Sequence, residues 1–324
     1  LQRKRRITGI LAALLSIFLG ASQLDINLFP VKEVSRSGQC REITVFNWNT
    51  CYWDQFKDRD HFYEFLKKQQ ADIYILQEYL HNSKDWRYPS NEKQVEDADS
   101  AKLFSICSVV PGFTPHYVAI DEISRLAQVF PGYHIRSHLQ FVFISRFPIK
   151  DSYPDYSEQY AVADVDIDGR LVRVFNVHML LHIKPGNPFV PSFYRELRQR
   201  YEARSLAIKN LYQDIEETQI DYIIAGDFNA TKAMGVMNGL LKEHVDAVNY
   251  SSTLIPFSFE FKGLKFWRFD YVLAPKASET LCFKSFQNLD PEGLSDHDPQ
   301  RFIIKLLQEP KVDPKSEFDL KRNK

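Results

Sequence analysis

The sequence predicts an α/β fold in which β-sheets pack on one another with helices outside. Three observations predict it. The chain opens strand–helix–strand, it carries the hairpin signature Asp168-Gly169 between two apolar runs, and a long amphipathic helix leads from that hairpin to further strands. With 324 residues, 44% of them hydrophobic and 26% charged, the chain fills a core readily and is too weakly charged to suggest disorder.

Residues 42–49 (EITVFNWN) are rich in β-branched and aromatic side chains and read as a strand. Residues 60–70 place Phe62, Phe65 and Leu66 at helical spacing. Residues 71–76 (ADIYIL) form a second short apolar run, and 81–100 is a polar loop long enough to suggest a function. Residues 139–149 (LQFVFISRFPI) read as a strand ending at Pro148. The hairpin spans 160–177. Over 191–218, Tyr194, Leu197, Tyr201, Leu206, Leu211 and Ile215 mark an apolar face, and Arg195, Arg198, Arg200 and Arg204 read as its solvated side. Residues 222–225 run into Gly226-Asp227-Phe228-Asn229, and 269–273 and 301–307 are the last two strands.

Charge bounds the function. The formal net charge is -1, and four of the 41 basic residues lie in the first six positions, which leaves 37 basic against 42 acidic residues. A tight duplex binder advertises a basic face, so composition argues against that class without touching an enzyme that meets nucleic acid briefly. The basic start precedes an uncharged, mostly apolar run over 7–24, the pattern of an export signal or signal anchor. Its 18 residues are at the short end of the roughly 17–25 that cross a bilayer. Positive residues stay cytoplasmic, so the chain beyond the run is expected on the other side. Cys40 and Cys51 bracket a strand, roughly 35 Å apart if extended, and so do not bridge each other. No Cys-x-x-Cys occurs, which removes the usual thiolate zinc and redox pairs.

Polar residues recur at the ends of apolar runs: Asn47 and Asn49, Gln77-Glu78, His178, Asp227 and Asn229, Asp270, and Asp296-His297. One such placement is a cap or a turn; six invite a common purpose. Asn and carboxylate oxygens are hard ligands for Mg²⁺ or Mn²⁺. A histidine beside an aspartate is held in one tautomer and stabilised as imidazolium. Activated water, charge neutralisation and leaving-group help are what phosphoester hydrolysis needs.

These motifs resemble the endonuclease/exonuclease/phosphatase superfamily, the deoxyribonuclease I-like enzymes. The likeness runs in order from the strand around Asn47 through D-I-x-x-L-Q-E (72–78), S-R-F-P-I (145–149), G-D-F-N (226–229), R-x-D-Y (268–271) and S-D-H-x-P (295–299). It implies a four-layer α/β-sandwich of two packed mixed sheets flanked by helices. It further implies metal ligation by Asn47, Glu78 and Asp296, and catalytic roles for His178, Asp227, Asn229, Asp270 and His297. Asp227 would activate water, Asn229 hold a phosphoryl oxygen, and Asp270 orient His297 against the phosphate. Asn49 stands where some relatives carry Asp. Ala225 before Gly226, and Phe266-Trp267-Arg268-Phe269-Asp270, depart from the inositol-polyphosphate 5-phosphatases, and Ala230-Thr231-Lys232 departs from apurinic-site enzymes. Poorly characterised bacterial members are more similar.

The expected organisation is a signal peptide or membrane anchor (1–24), a linker (25–40), a catalytic domain (41–308) and a polar tail (309–324). The expected activity is Mg²⁺- or Mn²⁺-dependent phosphodiester hydrolysis by an exported or membrane-anchored enzyme, with nucleic acid the first substrate. The alternative is a sphingomyelinase-like lipid or small-molecule phosphodiesterase or phosphatase at the membrane surface.

Overall fold

Strand β1 (Cys40–Asn49) sets the pattern of the molecule. Ile43 and Val45 face one side and Phe46 and Trp48 the other, all of them buried. A strand buried on both faces lies inside a sheet that is itself covered on both sides. The computed structural model describes residues 9–11, 15–16, 20, 25–31, 39–51, 59–79, 81–82, 102–104, 117–119, 123–183 and 186–307.

After β1 come α1 (Arg59–Lys68), β2 (Ile73–Gln77), β3 (His81–Asn82), β4 (Lys102–Phe104), β5 (Tyr117–Ala119) and α2 (Ile123–Val129). Next are β6 (His134–His138), β7 (Phe141–Ser145), β8 (Ile149–Pro154), β9 (Tyr160–Ile167), β10 (Arg170–His178), α3 (Pro191–Glu217) and β11 (Asp221–Asp227). The last part holds α4 (Gly235–Glu243), β12 (His244–Asp246), β13 (Phe259–Phe261), β14 (Leu264–Trp267), β15 (Asp270–Pro275), β16 (Leu281–Asn288) and β17 (Gln300–Leu307).

Two six-stranded sheets result, ordered β16-β17-β1-β2-β7-β6 and β12-β15-β11-β10-β9-β8. Both are mixed: β1 runs parallel to β2 and β10 to β11, while β1–β17, β9–β10 and β11–β15 are antiparallel. They stack face to face, burying Ile43, Val45, Ile75 and Phe143 against Val174, Ile223 and Val272. Phe62 and Leu66 of α1 and Leu126 of α2 cover the outer face of the first sheet against Phe46, Trp48 and Tyr74. Ala207 and Leu211 of α3, with Met237 and Leu240 of α4, cover the second against Phe175, Ile224 and Tyr271. The expected four layers are present. Each fully buried Phe, Leu or Ile contributes about 1.5–3 kcal/mol, so all three apolar layers stabilise the stack.

Three expectations need revision. The single strand over 139–149 is two, β7 and β8, which belong to different sheets. Pro148 has no N–H for a ladder, and Ser145 Oγ takes the Phe147 N–H at 3.0 Å, so the chain crosses between sheets there. The segment 25–31 is docked on the domain. Asn27 donates to the carbonyls of Val248 (3.1 Å) and Ser251 (2.7 Å), and Asp25 pairs with Lys232 (2.9 Å) and with Arg268, which Asp246 also holds. Part of the expected loop over 81–100 is the short strand β3, paired with β5; its remainder, 83–100, falls outside the described residues. So does most of the apolar run 7–24, and among the described residues no helix is long and apolar enough to cross a membrane.

Candidate active site

Along each inner strand, the residues facing the opposite sheet change character toward one end. On β1 they run Ile43, Val45, Asn47, Asn49; on β10, Val172, Val174, Asn176, His178; on β11, Ile223, Ala225, Asp227. On β15, which runs the opposite way, Asp270 precedes Val272 and Ala274. The pairing register aligns His178 with Asp227 and Asp227 with Asp270, so three ionisable side chains form a row across adjacent strands. Beneath them lies a layer of amides. Gln77 donates to Asn47 (2.9 Å) and across the sheets to Asn176 (2.6 Å), and Asn47 donates to Gln300 (2.9 Å), all four buried. This layer separates the apolar core from the charged row; its amides partner one another and the carbonyls of Leu76 and Asp270, while Gln77 Oε1 is buried without a hydrogen-bond partner among the described residues.

The first sheet supplies the facing half. Glu78 follows β2 with φ 51, a left-handed conformation that costs a non-glycine residue of order 1–3 kcal/mol and turns its carboxylate into the site. Asn49 Nδ2 bridges Asp227 Oδ2 (3.1 Å) and Glu78 Oε1 (3.4 Å). The Ser295-Asp296-His297 turn is tied to the end of β1, because Ser295 Oγ donates to the Asn49 carbonyl (2.7 Å) and Trp48 Nε1 to the His297 carbonyl (2.9 Å). His297 Nδ1 meets Asp270 Oδ2 at 2.8 Å, and its Nε2 lies 3.7 Å from Asp227 Oδ2. His178 approaches from the other side, with Nε2 at 3.1 Å from Glu78 Oε1 and 3.8 Å from Asp227 Oδ2, and Nδ1 at 2.5 Å from Gln140 Oε1.

Burial and charge set the protonation states. Burial opposes charge on both imidazoles, but the carboxylates outweigh it: Asp270 and Asp227 push His297 well above its ordinary value, and Glu78 with Asp227 raises His178. Burial likewise opposes charge on Glu78, yet His178 draws its carboxyl below the usual range. For Asp227 burial wins, with repulsion from Asp270, and its pKa rises to about 6. Asp296 is raised by burial and by Glu78, and burial with the charge of Asp296 pushes the nearby Cys51 thiol well up.

Most of the residues singled out in the sequence meet here: Glu78, His178, Asp227, Asn229, Asp270, Asp296 and His297. Asn47 does not. Its oxygen and nitrogen are taken by Gln77 and Gln300, one side-chain layer below, and Asn49 occupies the site position. Asn229 spends its amide on Asp227 Oδ2 (3.1 Å) and the Met179 carbonyl (2.9 Å), and so positions Asp227. The acid partner of His178 is Glu78. Arg200 and Arg204 are buried and not solvated: they hold the carbonyls of Leu181 (3.1 Å), Leu180 and Phe228 (3.2 Å), bracing the loops after β10 and β11. Burial draws Arg204 down to about 10, against the pull of Asp227. Ser258, unmarked by any motif, donates to Asp270 Oδ2 at 2.6 Å.

Among the described residues, two groups could take a cation. Ligand atoms of Asp227, Asp270 and His297 lie within 4.8 Å of one another, but Asp270 and His297 already satisfy each other. Glu78 and Asp296 repel each other, and Asp296 Oδ1 is buried without a hydrogen-bond partner among the described residues. An anionic oxygen without a hydrogen bond, 4.0 Å from His297 Nε2 and beside a second carboxylate, fits a hard divalent ion.

The family model described as Endonuclease/Exonuclease/phosphatase family matches residues 46–297. No curated protein matches the chain. Among solved structures, the AP endonuclease LMAP from Leishmania major is similar at 12% identity and TM-score 0.54, over 91% of this chain and 95% of that one. An endonuclease/exonuclease/phosphatase family protein from Bacteroides thetaiotaomicron is similar at 14% identity and TM-score 0.51, over 86% and 99%. One from Bacteroides vulgatus is similar at 17% identity and TM-score 0.50, over 82% and 99%. At these identities the structures speak to the fold; the family match spans most of the chain and includes every strand of the charged row. The chain belongs to the endonuclease/exonuclease/phosphatase family.

Proposed function

We propose that the protein is a divalent-metal-dependent phosphodiesterase. The family is one of metal-dependent phosphoester hydrolases, and one observation supports the finer reading. Nε2 of His178 and Nε2 of His297 stand 3.8 and 3.7 Å from the same oxygen, Asp227 Oδ2. Two imidazoles held protonated on either side of a carboxylate can neutralise the two non-bridging oxygens of a diester in line with a water on Asp227.

Glu78 and Asp296 would hold the metal, with Asn49 beside them; Mg²⁺ or Mn²⁺ suits these oxygen donors. When bound, the cation polarises a phosphoryl oxygen as a Lewis acid. Asp227, fixed by Asn49 and Asn229, takes the proton of the attacking water, and its raised pKa of about 6 brings it closer to the range of an effective base. His297, kept charged by Asp270, binds the phosphoryl group through Nε2, and His178 does so from the side of Glu78. A polynucleotide is the first substrate to assay. A phospholipid diester is the second reading, favoured by an exposed aromatic hairpin whose base contacts His297.

The test presents the full chain with plasmid DNA, RNA, sphingomyelin vesicles and a phosphomonoester, each with Mg²⁺, Mn²⁺ or EDTA. The expected result is EDTA-sensitive cleavage of a diester that Asp227→Ala and His297→Ala abolish. Turnover confined to the monoester, or indifferent to both substitutions, would overturn the reading.

A further inference from the structure

Large apolar side chains left in water beside a functional site mark a surface that something covers. The hairpin β13–β14 is such a surface. Phe261, Leu264, Phe266 and Trp267 are all exposed, Leu264 by 57%. The tip is a tight turn with Lys262 at φ 52 and Gly263 at φ 80, and Lys262 Nζ lies 5.3 Å from the Phe261 ring centre. The base is fixed at the charged row: Phe259 bridges to His297, and the two rings lie 4.9 Å apart. The hairpin therefore stands at the mouth of the site.

A second segment docks on the stretch that leads into this hairpin. Asn27 donates its backbone N–H to the Leu254 carbonyl at 2.8 Å, four residues before Ser258, the last residue ahead of β13. Further along this segment Phe29 is 87% exposed, and Leu28 is exposed too. Asp25, pinned to Lys232 and Arg268, leaves no slack between this surface and the uncharged run 7–24 that precedes it. Where that run is described, residues 9–11 and 15–16 are helical, and Ile10, Leu11 and Leu15 are exposed and not covered by the domain.

We infer that this face rests on a phospholipid bilayer: the hairpin tip and Leu28-Phe29 dip into its surface, the run 7–24 enters it, and the site opens onto lipid headgroups. The 18 uncharged residues of that run are at the short end of the roughly 17–25 that cross a bilayer. Aromatic side chains with a lysine among them suit the membrane–water interface. A second copy or a protein partner explains an apolar hairpin equally, but leaves unexplained why an 18-residue uncharged run ends at the segment docked next to it. The bilayer contact stands on these surfaces alone; that a headgroup diester is turned over at the site rests on the second, phospholipid reading of the proposed function.

The test uses the full chain in vesicles of phosphatidylcholine and phosphatidylserine, with ordinary or brominated acyl chains, and reads tryptophan emission. Leu264→Trp and Phe266→Trp place a reporter at exposed hairpin positions, and Leu171→Trp places one at the end of β10 remote from His178. Relative to the unsubstituted chain, the hairpin reporters are expected to shift to the blue and to lose about half or more of their added emission in brominated lipid, and the Leu171→Trp reporter to be unaffected. Equal emission in the two lipids overturns the proposal, including when the emission is blue-shifted, since protein then covers the tip. The readout needs no turnover, so its failure is distinct from a failure to cleave diesters.

Discussion

His297 Nδ1 lies 2.8 Å from Asp270 Oδ2, and the same oxygen accepts the Ser258 hydroxyl at 2.6 Å. The two residues come from opposite sheets, Asp270 from β15 and His297 from the turn before β17. The contact fixes the proton on Nδ1 and directs Nε2 toward Asp227.

Asp270→Asn keeps the shape and removes the charge. Burial is then opposed by Asp227 and Asp296 without their strongest ally, and the His297 pKa is expected to fall. Turnover should drop by roughly 10²–10⁴-fold. A pH titration of the His297 ring by NMR checks this; an unchanged titration in the variant contradicts the assigned role.

The same shift predicts how stability depends on pH. His178 and His297 have folded-state pKa values raised above the unfolded value near 6.5. Their contribution is therefore complete below that value and is lost as pH rises through the folded values. In EDTA, the melting temperature should decline as pH is raised from about 6.5, and His297→Asn should flatten the decline. A rise over that range would show the sign to be wrong.

Asn47 and Asn49 are predicted to separate stability from activity. Asn47→Ala leaves Gln300 Oε1 and one Gln77 contact without a buried partner, at about 1–3 kcal/mol for each unsatisfied group. Asn49→Ala loosens Asp227 and Glu78 and should lower turnover and metal affinity with a smaller loss of stability. Denaturant unfolding and metal titration calorimetry distinguish the two, and the reverse pattern would return Asn47 to the metal site.

Gly226→Ala is expected to be severe. Gly226 has φ 143, and a Cβ there would come within 1.9 Å of the Val177 carbonyl oxygen, next to His178. The clash is with backbone, so β10 must separate from β11 and the row His178–Asp227 breaks. Circular dichroism and turnover should both show the loss; a folded, active variant would mean the strands have room to shift.

The sequence disclosed the row because each of its members ends an apolar run, and that pattern survives without coordinates. It could not rank Asn47 and Asn49, which sit two apart on one face of β1; the difference is about 7 Å of depth along the strand, which periodicity does not encode. Arg200 and Arg204 were masked by their charge. They share a helical face with Ala203, Ala207 and Leu211, at spacings of three and four, and that was the available signal of burial. The break at Pro148 was also legible, since a proline lacks the ladder donor, but nothing local says that β8 joins the other sheet. Ser258 acts through a fold-dependent approach to Asp270 and had no signature.

Gln77 grips Asn47 in its own sheet and Asn176 in the facing one, so the two sheets are keyed to a single sliding position. Above that key, Glu78, Asn49 and His297 come from one plate and His178, Asp227 and Asp270 from the other. Neither plate is a hydrolase by itself. A collapsed chain with its strands formed but its plates misaligned would bury much of the same apolar surface and cleave nothing. Activity here reports alignment, which would keep a nascent chain harmless to phosphoesters until its two halves have closed.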